Sequence, residues 1–74
     1  MKVVGDEIVL TTANTVSNAR LVKLTIITGN AIITSSASGN TTFGVGTFYY
    51  EKDAAETLAV TGAAVLATPA AFTN

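Results

Sequence analysis

Hydrophobic and polar residues alternate with a period of two along much of this chain, the spacing that sends successive side chains to opposite faces of a strand. From Glu7 to Thr12, Ile8 and Leu10 share one face and Val9 takes the other. Arg20 to Thr28 is the clearest run: Val22, Leu24 and Ile26 line one face, while Lys23 and Thr25 lie opposite, between Leu21 and Ile27. That pattern predicts one core face and one mixed face. Further strands are expected at Ala31 to Ser35, Thr41 to Val45 with Phe43 and Val45 inward, and Thr47 to Lys52 with Phe48 and Tyr50 on one face and Tyr49 on the other. Leu58 to Val60, Ala63 to Thr68 and a short edge strand from Ala70 to Thr73 complete the series. Threonine, valine and isoleucine supply 13, 8 and 5 of the 74 residues, and such β-branched side chains suit a pleated, half-buried surface. The chain is therefore expected to be all-β: a compact antiparallel β-sandwich or barrel-like domain of six to eight short strands.

The breaks between these runs carry their own signals. Asn14 to Asn18 reads as a polar turn, Ser35 to Asn40 as a loop of small residues and Thr61-Gly62 as a turn. Gly29-Asn30 suits positive φ between two β-branched runs, which predicts a tight hairpin pairing the strands on either side. Pro69 cannot donate to a ladder and is expected to end the strand before it. Asp53-Ala54-Ala55-Glu56 has the acceptor-x-x-Glu spacing of a capping box, and the β-type residues from Thr57 onward limit it to one helical turn. The alanine-rich C-terminal third has an alternative reading as an amphipathic helix, since alanine is the best helix former. Gly62 and Pro69 would interrupt such a helix, and the interleaved Thr and Val prefer strands.

Length changes the picture by limiting the core. A chain of 74 residues makes one domain, residues 1–74, and leaves much apolar surface uncovered. Comparably small proteins recruit disulfides, a structural metal or oligomerisation. With no cysteine and no histidine, disulfides and thiolate or imidazole ligands are closed, no cofactor is expected, and association is the route left open. Charged residues are only 12% of the chain against 49% hydrophobic, so little opposes association. A net charge of −1 supplies no cationic footprint for nucleic-acid phosphates or an anionic membrane. No apolar run approaches the ~20 residues that cross a bilayer. The charged opening Met1-Lys2-Val3-Val4-Gly5-Asp6-Glu7 is unlike a signal peptide, so synthesis in the cytoplasm is expected.

Candidate chemistry is sparse, and no enzyme is expected. Without histidine or cysteine the usual general base and the most nucleophilic side chain are missing. Among carboxylate pairs, Asp6 and Glu7 would face opposite ways on a strand, and Asp53 with Glu56 is better explained as a cap. Glu51, Asp53 and Glu56 lack the acidic loop of a calcium site, and Lys52 among them would repel a cation. Gly44-Val45-Gly46 has no lysine or helix to complete a phosphate loop, and Asn40-Thr41-Thr42 reads as a turn before it reads as a glycosylation sequon. The aromatic run remains. Phe48 and Tyr50 fit a core as well as an interface, whereas Tyr49 must point the other way and is the strongest single interface candidate. The candidate interface residues are Phe48, Tyr49, Tyr50 and Phe72. A sugar-binding face built on Tyr49, Tyr50 and nearby hydroxyls is a further possibility from the same residues.

Three segments carry a resemblance: the opening Gly5-Asp6-Glu7-Ile8-Val9-Leu10, the central Phe48-Tyr49-Tyr50-Glu51-Lys52-Asp53 leading to Thr57-Leu58, and the closing Ala67-Thr68-Pro69-Ala70-Ala71-Phe72-Thr73-Asn74. Together they span most of the chain, and it resembles the small virion structural proteins of tailed bacteriophages, especially marine cyanophages. The resemblance transfers no catalytic residue. It implies a place in the virion: a capsid decoration or cement subunit, self-associated as a homo-oligomer, commonly a trimer, and bound to the major capsid protein, or alternatively a neck, tail or fibre component.

Overall fold

In the computed structural model, which describes residues 1–72, the alternating runs form eight strands and no helix. They are β1 (Lys2–Val3), β2 (Ile8–Val9), β3 (Leu21–Ile26), β4 (Ala31–Ser35), β5 (Gly39–Phe43), β6 (Gly46–Glu51), β7 (Leu58–Thr61) and β8 (Val65–Ala71). Two antiparallel sheets result. The larger runs β1-β8-β3-β6, with β2 also paired to β8, and the smaller runs β5-β4-β7. They pack face to face as a small sandwich of 30 × 23 × 16 Å.

The core follows from the two-residue period. Val22, Leu24 and Ile26 of β3 lie opposite Pro69, Ala67 and Val65 of β8 in register, and all but Pro69 belong to the buried core cluster. From the smaller sheet come Ala31, Ile33 and Leu58, all fully buried. Leu10 and Val16 close the interior from the segment between β2 and β3. That segment changes sheets: the Leu10 N–H donates to Val65 O of the larger sheet, and Thr11 O then accepts from Val60 N of the smaller one.

Four expectations are corrected. Gly29-Asn30 does not close a hairpin, because β3 and β4 lie in different sheets. β3 takes β6 and β8 as its neighbours and β4 takes β5 and β7, and both strands bury side chains in the shared core, so the turn between them is a corner. It is packed tightly: a Cβ on Gly62 would fall 2.9 Å from Asn30 O, and one on Gly29 3.1 Å from Gly62 O. Val45 is 66% exposed instead of inward, since the chain crosses from sheet to sheet between Phe43 and Gly46. Lys2–Val3 forms a strand where none was expected.

Finally, Pro69 does not divide the C-terminal segment, since β8 runs through it to Ala71. Its carbonyl accepts from Val4 N at 2.9 Å, so its nitrogen, on the same side of the strand, faces the break between β1 and β2 and breaks no ladder bond with β3. Gly5 occupies that break with the proline ring against it. Thr73, the expected end of this segment, lies outside the described residues.

Candidate interface

The outward faces of the two sheets differ in chemistry. On the smaller sheet the outward positions are Ile32 and Thr34 of β4, register partners of Thr42 and Asn40 and of Thr61 and Ala59. Hydroxyls and amides dominate there, and Thr34 Oγ1 donates to Asn40 Oδ1 at 2.9 Å. On the larger sheet, the outward row from β1 through β8 to β3 reads Val3, Ala70, Leu21, and from β2 it reads Val9, Leu66, Thr25. Between these rows lie Thr68, Lys23 and Tyr49. Lys23 and Glu51 are the charged side chains at strand positions on this face.

Exposure picks out the apolar members. Val3 is 46% exposed, Val9 68%, Tyr49 46% and Phe72 50%, and Ile27 continues the alternation past β3 at 49%. On the same face, Leu21 and Ala70 are register partners buried outside the core cluster. Four strand positions ~4.8 Å apart and strands of ~20 Å give a face of roughly 400 Å² in projection. Its exposed apolar side chains share that area with Lys23, Thr25, Thr47, Thr68 and Glu51.

The four sequence-chosen residues divide between the two faces. Tyr49 and Phe72 are outward, while Phe48 and Tyr50 are half-buried against the core, and the Phe48 ring lies 4.7 Å centroid to centroid from Phe43, joining the two sheets. Val3, Val9 and Leu21 were missed. Only the unbroken parity of β3 pointed to Leu21, and Val3 and Val9 join the face through strand pairings that alternation cannot specify.

A polar cluster closes one end of the sandwich. Glu56, 7% exposed, accepts from the Asp53 backbone N–H at 3.1 Å, as in a capping box, and from the Ser35 hydroxyl. Ser35 Oγ in turn accepts from Ala37 N and Ser38 N. The Ser35 hydrogen bond, followed by that from Asp53 N–H, holds the Glu56 carboxyl below its ordinary value. Burial pulls Lys52 down from its own, against the raising effect of Glu56 and Asp53, and its Nζ donates to the carbonyls of Asp53 and Ala54. These contacts knit the 52–57 turn to β4. Among the described residues, no three His, Cys, Asp or Glu side chains gather as a metal set, and there is no pocket.

Comparison with protein-family models, with curated proteins and with solved structures found no match.

Proposed function

We propose that this protein is a non-enzymatic structural subunit that works by assembly, associating with its own copies and docking on a virus shell as a decoration or cement subunit. The observation that carries the reading is the outward face of the larger sheet, where Val3, Val9, Tyr49 and Phe72 stand exposed on the side that also holds the buried pair Leu21 and Ala70. A face of this size supports a reversible contact, and many weak contacts become effective when copies are held together on a repeating lattice. The resemblance to small phage virion proteins supplies the lattice; the sparse charge agrees with a surface meant to be covered.

Electron cryomicroscopy of particles from the virus that encodes the chain tests this reading. Sandwich-shaped density on the shell, with the larger sheet against it, is the expected result. Density confined to the neck, tail or fibres would move the protein to that role, and absence from the particle would end the virion assignment. In solution, Val9→Lys should abolish docking on purified shells while leaving the fold intact.

A further inference from the structure

Backbone hydrogen bonding marks one edge of the larger sheet for pairing, and we infer that β6 joins β6 of a second copy across a two-fold axis at Tyr49. This rests on the assembly reading and names the partner at a different surface, the sheet edge instead of the sheet face.

The argument begins from one hydrogen bond. Lys52 N donates to Arg20 O at 2.9 Å, which extends the β3–β6 register of Leu21↔Glu51 by one residue. In an antiparallel ladder, hydrogen-bonded and non-bonded pairs alternate, so Val22↔Tyr50, Leu24↔Phe48 and Ile26↔Gly46 carry the bonds. Thr47, Tyr49 and Glu51 therefore turn their N–H and C=O groups away from β3. The Ile27 N–H to Ala64 O bond fixes the same alternation on the β8 side of β3. β6 ends its sheet, and no other strand pairs with it among the described residues.

An edge strand six residues long with no proline and no lysine carries a single charge, Glu51 at its end, as a device against pairing. Its sequence also selects the partner and the register. With the axis at Tyr49, Tyr49 meets its own counterpart and Thr47 meets Glu51 of the second copy. All three outward residues then form narrow pairs with two hydrogen bonds each. Shifting the axis by one residue either way leaves one of the three without a strand partner, and centring it on Glu51 sets like charges opposite. On the outward face the two Tyr49 rings become cross-strand neighbours, a favourable aromatic pair, and the outward faces of both copies join into one surface.

The test combines sedimentation with amide exchange on the full chain. At high concentration the protein should sediment as a dimer, with the amides of Thr47, Tyr49 and Glu51 protected at least about tenfold more than in diluted monomer. Tyr49→Pro removes an outward N–H that no fold contact uses, so it should stay folded by circular dichroism and raise the dimer dissociation constant by about tenfold or more. Tyr49→Ala keeps the N–H and should retain the exchange protection. A dimer or trimer in which these three amides exchange freely, a Tyr49→Pro variant that associates like wild type, or a chain that stays monomeric at millimolar concentration overturns the inference. A monomer that still binds shells would leave the assembly reading standing.

Discussion

Gly5→Ala tests the account of how Pro69 is accommodated in the middle of β8. A methyl built on Gly5 would lie 2.6 Å from Pro69 Cγ, with Cδ and Cβ at 3.6 and 3.8 Å. The proline ring cannot swing aside, because its strand is bonded to β3 on one side and its carbonyl to Val4 N on the other. One of the two backbones must move, and overpacking of this kind costs about 1–3 kcal/mol. For a chain of this size, that corresponds to a fall in Tm of roughly 5–20 °C, read by calorimetry or by the far-ultraviolet dichroism of the sheets. The sharper measurement is a double-mutant cycle. Pro69→Ala deletes the ring carbon that the methyl strikes and restores an N–H that faces the gap. In that background Gly5→Ala should lose most of its cost, a coupling of about 1 kcal/mol or more. If the two effects add to within about 0.5 kcal/mol, the clash is not what excludes a side chain at position 5, and the explanation of the unbroken strand falls with it.

Leu24→Ala, at the centre of β3 between Ala67 and Phe48, should destabilise by about 2–5 kcal/mol in a urea titration, because the facing Ala67 is too small to fill the space. Ser17→Gly should raise stability by up to about 1 kcal/mol, because Val16, Ser17 and Asn18 stand in succession at φ 52, 59 and 55° and L-residues resist this region; an unchanged midpoint would count against strain there. Glu56 gives a pH dependence whose sign is fixed: its folded pKa lies below the ordinary 4.5, so its contribution is complete above that value and is lost as pH falls through the lower folded pKa. Ser35→Ala removes the largest cause and should flatten the acid limb of a stability-against-pH curve; an unchanged limb would show that other carboxylates set it.

What alternation specifies, the sequence expressed clearly. The inward set of β3, the opposed directions of Val9 and of Ile8 with Leu10, and the split between Tyr49 and its neighbours all follow from parity and hold in the fold. Alternation is silent about which strands pair. Gly29-Asn30 has the chemistry of a hairpin turn, yet β3 pairs with β6 and β8 and β4 with β5 and β7, so long-range pairing overrode local turn preference. Pro69 failed as a stop signal for a related reason. A proline ends a strand only where its missing N–H would have entered a ladder, and that depends on a partner strand the local sequence does not name. The outward face was legible only in part for the same cause: Val3 and Val9 join Leu21 through β8, and nothing near Val3 or Val9 in the chain announces that meeting.

Tyr49 sits where the face and the edge meet. Its side chain stands on the outward surface, 46% exposed, while its backbone groups turn to the free side of β6. Face and edge lie roughly at right angles on a strand, so a partner bound through side chains does not compete with one bound through main-chain hydrogen bonds. Under the proposed pairing, a single short strand would hold a second copy by its edge and leave its outward face free for another partner. Such association would remove from water apolar surface such as Val3, Val9, Tyr49 and Phe72 that the monomer leaves exposed. It also makes stability depend on concentration: binding that favours the folded state raises Tm with protein concentration. Wild type should show that rise. Tyr49→Pro should not, and a concentration-independent Tm in wild type would sever the link between assembly and folding.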